Sequence, residues 1–467
     1  RRNILLNSMY NFSEKLELQV LLKATDMKAF IPSSLNETDF LNHPEIAASN
    51  WLGVKGYEDY QNGGFGLSMN YYTTTIDKYS FAAFGSFRNA EEVRPFNILD
   101  EASHYIGWRG YIQKNISDGE TEVILTSGLE FFREQYNWST LENETREILS
   151  DNFEKRSYEN LFVQMEAAFA NTFFISAGLN GNLTRFDYND KFVENGNQSG
   201  EHSYKPVLSP RLGLNVKLSK DVYVFGNLSH GFSTPSFEET LLPAGAINPD
   251  IKPESGWNAE AGIRTLIANR LQATASYYRI AIRNLLVARR TGEDAYIGVN
   301  AGQSLHPGLE AELKWTVLKP GTFPALLLSG NATIANYHFQ EFVDNDVNYS
   351  GKKLPGTAQK TWLAAAKFRP IKNITLNAWH RFTGKMPVND ANSNFTDPYG
   401  ITNLDLSYSG KLNNISWELK GGVQNIFDVH YAAMLAVNAP GFGGRLPRYY
   451  YPGNPRNYFV TVSIGLE

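Results

Sequence analysis

The chain has 467 residues, 43 Lys and Arg against 48 Asp and Glu, a formal net charge of −5 and no cysteine. The missing cysteines exclude a disulfide framework and a thiolate metal site, and the unclustered basic residues argue against nucleic acid as a partner. Mean hydropathy is −0.35 and no apolar run reaches the ~18 residues of a membrane helix, yet a strand crosses a bilayer in about 9–11 residues with only one face apolar, so a membrane barrel stays open.

In chain order, Arg1–Phe12 reads as a strand, with neither Met nor a signal peptide before it, which predicts an N-terminal part upstream. A short link, Phe12–Leu16, precedes a long one, Ile31–Gly63. Glu122–Trp138 is too long for a sandwich strand of ~5–6 residues. A long link is predicted at Ser139–Tyr158. Leu212, Leu214, Val216 and Leu218 then share one strand face, and Arg211, Gly213, Asn215 and Lys217 the other. Leu218–Val222 is short, Ser233–Gly256 long and Ile267–Leu271 short. Leu271–Arg290 is another long strand, and Leu309, Ala311, Leu313 and Trp315 oppose Glu310, Glu312, Lys314 and Thr316. After the short link Pro370–Ile374 come the strand Ile415–Tyr431, the long link Ala432–Pro455 and a last alternating strand, Arg456–Glu467.

Tight turns at one end and long loops at the other are the build of an outer-membrane barrel, and 13% aromatic residues can supply its interfacial girdles. A soluble sandwich or propeller would also alternate, but no repeat of about 40–50 residues marks a propeller, and no composition break divides the chain into domains. The fold predicted is all-β: a single antiparallel transmembrane barrel domain over residues 1–467 with about nineteen strands. The first and last strands both run toward the short-turn side, so antiparallel closure needs an odd number of further strands, because open edges in hydrocarbon leave backbone groups unpaired.

The stretch from Leu208-Ser-Pro-Arg211 through Val222–Phe232, Ser233–Glu239, Asn248-Pro-Asp-Ile-Lys-Pro-Glu254, Trp257–Arg264 and Val299–Glu310, with Val423-Gln-Asn-Ile-Phe-Asp428 near the end, resembles the C-terminal barrel of TonB-dependent outer-membrane receptors. The resemblance implies a barrel of the 22-stranded type lacking its first three strands, its plug and its energy-coupling box. It also implies uptake of a scarce nutrient, a ferric siderophore or other iron chelate foremost, with energy coupled through TonB by way of the missing N-terminal part. A passive porin-like channel and TonB-dependent uptake of cobalamin, a copper complex or an oligosaccharide are the alternatives, and a soluble carbohydrate-binding β protein is the third class.

From the residues, Asn248–Glu254 reads as a loop folding back over the rim, Trp257 as an outer-interface ring, Gln303–Pro307 between Gly302 and Gly308 as a turn, and Asn425 as a structural hydrogen-bonding residue in the outer half of its strand. No hydrolase, zincin or phosphate-loop motif is present, so no enzyme activity is predicted. The eight histidines are dispersed, and no metal site or intrinsic cofactor is predicted. Arginine binds carboxylates in fork geometry and aromatic rings stack on planar ligands, so the candidate ligand contacts for an Fe(III) chelate are Arg133, Tyr136, Trp138, Arg185, Arg289, Arg290, Trp379, Arg381, Arg445 and Arg448. The other partners expected are outer-membrane lipid and lipopolysaccharide around a monomer, with no nucleic acid.

Overall fold

A computed structural model of the chain describes residues 1–117, 121–197, 199–235, 251–290, 296–319, 321, 323–344, 346–441 and 444–466. Its principal sheet has 21 strands, of which Gly200–Ser203 and His338–Glu341 are short. The other nineteen form a meander in which each strand pairs antiparallel with the next. It begins Arg2–Ser13, Leu16–Phe30, Tyr57–Tyr72, Lys78–Val93, Ile98–Asn115, Thr121–Leu141, Ile148–Phe169, Phe173–Asp190 and Val207–Ser219. It continues through Val222–Ser233, Glu254–Ile267, Leu271–Arg290, Tyr296–Leu318, Ala325–Ala335, Lys360–Arg369, Ile374–Thr383, Tyr399–Leu412, Ile415–Gln424 and Asn457–Leu466.

The sequence alternation becomes two surfaces. Leu212, Leu214, Leu218, Leu309, Leu313 and Trp315 all lie exposed on the outward face, where only lipid satisfies so continuous an apolar band. Their neighbours Arg211, Glu310 and Lys314 face the lumen. At the short-turn end Ala268 and Asn269 both have positive φ, 51° and 53°, the backbone of a type I′ turn whose twist matches the flanking strands. The helices are short, Glu37–Asn42 and Ser49–Val54 among them, and none among the described residues is long and apolar enough to cross a membrane.

Several boundaries differ from the sequence reading. The long link predicted at Ser139–Tyr158 is mostly strand: Thr121–Leu141 and Ile148–Phe169 stay paired almost to the tip. Cross-strand polar contacts such as Thr140–Ser150, 2.6 Å, replace the apolar alternation there. Gln303–Pro307 is no turn either, because Tyr296–Leu318 runs straight through it, and Gly302, with φ 38°, lies beside a register shift against His338–Glu341. The strand from Ile415 stops at Gln424, since Asn425 has φ 49°. Residues 248–250 of Asn248–Glu254, with 236–247 before them, lie outside the described residues, and Glu254 already begins a strand.

Among the described residues, Arg2–Ser13 pairs only with Leu16–Phe30, and Asn457–Leu466 only with Ile415–Gln424. Both strands run toward the short-turn end, so the sheet is open between two parallel-running edges. The long loops nevertheless meet across that opening. Leu35 and Tyr450 form an antiparallel bridge, Phe40 stacks on Tyr450 with ring centroids 4.8 Å apart, and Arg448 donates to Asn50 Oδ1 at 2.7 Å. The sheet therefore curls into a barrel wall whose loop layer forms a ring.

Candidate functional site in the lumen wall and outer loops

Pairing register fixes which way each candidate points. On Thr121–Leu141 the even residues Glu130, Phe132, Glu134, Tyr136 and Trp138 face the lumen, opposite Arg109, Gly107, Tyr105, Ser103 and Glu101. Tyr136 Oη donates to Glu101. Along this wall the guanidiniums are neutralised: Arg88 contacts Glu58 and, at 3.8 Å, Glu101; Arg109 pairs with Glu130, and Arg156 with Glu134. Rings fill the space between them. Tyr105 and Phe132 lie 5.2 Å apart, Phe132 stacks on Tyr158 at 4.7 Å, and Arg88 sits over Tyr60 at 4.5 Å. The charges of this wall are thus spent within it.

Arg133 and Arg185 point the other way. Arg133 stands opposite Ile106 and Ser157, and Arg185 opposite Ser157 and Ser203, all on the outward face. Alternation makes this unavoidable once Tyr136 and Trp138 face inward. Arg289 and Arg290 end Leu271–Arg290, and their side chains lie outside the described ones.

Across the lumen Trp379 stands opposite Ala365 and Asn403, and Arg381 opposite Leu363 and Ile401. They share their face with Asn377, which donates to Asp405 at 2.7 Å, while His380 between them stacks outward on Trp362 at 5.0 Å. Asp405 also contacts Lys420 at 3.3 Å. Arg381 is exposed near the outer end of its strand and has no ion-pair partner among the described residues. Arg445 is exposed in the last long loop, whereas Arg448 is committed to Asn50. The candidates therefore divide: Tyr136, Trp138, Trp379 and Arg381 line the lumen, Arg445 and Arg448 lie in the loop layer, and Arg133 and Arg185 belong to the outside of the wall.

The loop layer holds residues that the sequence reading passed over. Val388 is fully buried, its carbonyl accepts from Asn438 N at 3.0 Å, and Asn392 Nδ2 donates to Lys353 O at 2.9 Å. Asp390 takes hydrogen bonds from Asn438 Nδ2, at 2.9 Å, while its own N–H donates to Asn438 Oδ1. Burial pushes the Asp390 carboxyl up to about 6, with Asn438 opposing and Asp344 adding to the shift. Phe339, Phe342 and Leu354 form a small buried cluster under Tyr337 and Tyr349. Asn425 is buried at the foot of the last loop, where its amide donates to Val429 O and Asn454 O and its Oδ1 accepts from Val429 N. The Asn-rich run Asn389-Asp-Ala-Asn-Ser-Asn394 was the available signal for this network. At the far end, a recess of about 400 Å³ is lined by Arg270, Lys314, Lys367 and Arg369, remote from the loops.

A meander with a lipid-facing apolar belt, a polar lumen and a deep outer loop layer defines an integral β-barrel of the Gram-negative outer membrane. The chain belongs to the family described as TonB dependent receptor-like, beta-barrel, which matches residues 49–426. That family is one of receptors and transporters, not of enzymes. The chain is similar to the vitamin B12 transporter BtuB of Vibrio vulnificus, 25% identical over 259 residues, which are 54% of this chain and 36% of that protein. The chain thus matches little more than a third of that relative's length. It is also similar in fold to the crystal structure of the ferric citrate transporter FecA in the unliganded form, with a TM-score of 0.82, 16% identity, and coverage of 99% of this chain and 70% of that one. For the siderophore receptor PiuA from Acinetobacter baumannii the TM-score is 0.79 at 11% identity, over 99% and 73% of the two chains.

Proposed function

We propose that the chain is the barrel of an active transporter that takes up a scarce anionic chelate, a ferric siderophore or similar iron complex foremost, with energy coupled through TonB. The observation that carries this reading is the asymmetry of the lumen: Arg88, Arg109 and Arg156 are neutralised in the wall, whereas Arg381 stands exposed beside Trp379 near the mouth. A free guanidinium next to an indole suits an anionic, planar cargo. The two edge strands run in the same direction, so antiparallel closure between them takes an odd number of strands.

The test is binding of ferric citrate, a ferric catecholate, a ferric hydroxamate and cobalamin to the full-length protein in detergent, followed by uptake in cells with and without a working TonB system. Saturable binding of one ferric chelate and its TonB-dependent uptake are the expected results. Failure of every ferric chelate overturns the iron reading. Binding of cobalamin alone establishes the second reading, favoured by the similarity to a vitamin B12 transporter. Uptake without TonB would make the barrel a passive channel.

A further inference from the structure

The outward wall carries a second kind of chemistry, on the strands Glu254–Ile267, Leu271–Arg290 and Tyr296–Leu318. Arg279 and Arg283 are exposed and lie on the same face as Tyr277, which is 49% exposed in the apolar belt beside Leu309. Trp257 pairs with Ala281, the residue between the two arginines, so an indole stands level with the space between two guanidiniums. The residues around them are small or uncharged: Ala259 and Pro307 beside Arg279, Ser255 and Gln303 beside Arg283. Neither arginine has an ion-pair partner among the described residues; Glu254, next to Ser255, alternates to the other face and accepts from Leu286 N at 3.1 Å, and the nearest carboxylate on the arginines' own face in the register is Glu341, opposite Gln303 and one strand further on.

Height on the barrel is given by the same ladder. Trp315, at the short-turn side of the belt, is level with Leu271. Arg279 lies eight residues further along, roughly 27 Å at about 3.4 Å per residue, or about 21 Å along the membrane normal for a strand tilted about 40°. That places Arg279 just inside the outer boundary of a ~25 Å apolar band and Arg283 just beyond it. A guanidinium at that boundary needs an anion, and the described residues on this face of the wall supply none in contact.

We propose that Arg279, Arg283 and Trp257 form a binding site for the phosphorylated headgroup of an outer-leaflet glycolipid. The two guanidiniums, about 14 Å apart at Cα by strand rise, grip phosphate oxygens in fork geometry, and the indole offers a flat apolar face to a sugar ring. The assignment differs from the other outward cations, Arg133, Lys155 and Arg185. There Asp187 and Glu201 share the row of Lys155, Glu159 lies on the same face in the row of Phe131, and Lys155 already contacts Asp187 at 3.6 Å, so that patch is balanced by its own carboxylates.

The test uses the full-length protein extracted from its own outer membrane. Co-purifying lipid is quantified for the unsubstituted protein, Arg279→Ala/Arg283→Ala, Arg279→Lys/Arg283→Lys and Arg133→Ala/Arg185→Ala, with folding checked by heat-modifiable electrophoretic mobility. The double alanine variant is expected to retain at least about tenfold less lipopolysaccharide, with the lysine variant intermediate, the Arg133/Arg185 variant unchanged and ferric-chelate binding unaltered. Equal retention by all four overturns the site. The unsubstituted protein is also delipidated and offered lipopolysaccharide, its enzymatically dephosphorylated form, or vesicles of phosphatidylglycerol. Equal binding of the phosphorylated and dephosphorylated glycolipids, or preference for phosphatidylglycerol, overturns the proposal whether or not the alanine variant folds.

Discussion

Leu35 and Tyr450, from opposite ends of the chain, exchange two backbone hydrogen bonds, 2.7 Å from Leu35 N to Tyr450 O and 3.1 Å from Tyr450 N to Leu35 O. Both residues are buried, and the pair bridges the loop layer where the strand ladder of the described residues is open, between the first and last strands of the meander.

Tyr450→Ala removes the ring that stacks on Phe40 and vacates a buried position. Truncating a buried aromatic costs about 3–5 kcal/mol, and the loss falls on the loops because the nineteen-strand ladder does not pass through Tyr450. Hydrogen exchange should show residues 31–56 and 432–456 losing protection together, with strand protection and heat-modifiable mobility unchanged. Unfolding of the barrel itself would contradict a clasp confined to the loops.

Asn425→Ala removes an amide that serves Val429 and Asn454 and leaves those carbonyls short of partners in a buried site. A loss of about 2–3 kcal/mol is expected from unsatisfied buried polar groups, read as a lower urea midpoint in detergent. Asn425→Gly keeps the left-handed backbone at less strain but loses the same bonds, so it should recover little of that stability.

Asp390 gives the loop layer a pH dependence of predictable sign. Its folded pKa is raised to about 6 by burial, above the ordinary ~3.9 of an exposed aspartate. Between those values the folded loop binds more protons than the unfolded one, so loop stability rises as pH falls from about 6 to about 4. Protection factors of residues 384–398, with exchange rates corrected for the intrinsic pH dependence, should rise over that window, and Asp390→Asn should abolish the rise. Protection factors that stay flat or fall on acidification would refute the assignment.

Arg381→Ala and Trp379→Ala should each weaken cargo binding about 10- to 100-fold, the equivalent of about 1.5–3 kcal/mol for a lost charged hydrogen bond or stacking contact. Arg133→Ala and Arg185→Ala, on the outward face, should leave it unchanged. Fluorescence quenching titrations with the ferric chelate that binds the unsubstituted protein decide between the two sets.

Ala311→Arg places a charge midway up the lipid-facing belt between Leu309 and Leu313. A cost of about 2–4 kcal/mol is expected at the midplane. Lys314→Ala, three residues along but facing the lumen, should cost far less. Refolding into lipid vesicles against urea measures both.

Much of the fold was legible because the belt forces a period of two. Leu212 to Leu218 and Leu309 to Trp315 have the alternation of a wall between lipid and water, and Leu271–Arg290 was readable to its last residue. The same alternation gave strand direction, and with it the open edge. The site was legible only in part, because a shift of one residue reverses a side chain. Tyr136 and Trp138 face the lumen, and Arg133, three residues before Tyr136, therefore cannot. Above the belt the hydrophobic signal vanishes while pairing continues through contacts such as Thr140–Ser150, so Ser139–Tyr158 looked like loop. Asp390 and Asn438 meet only after two distant loops fold together, and no local pattern announces them.

The continuation of those strands changes how cargo meets the cell surface. Thr121–Leu141 has 21 residues, about 70 Å of chain at ~3.3 Å per residue, of which a tilted strand needs only about 9–11 to cross the bilayer. The remainder stands clear of the lipid as a hydrogen-bonded parapet. A molecule arriving there docks against a preformed rim and need not freeze a flexible one, so little of its binding energy is lost to ordering the receptor.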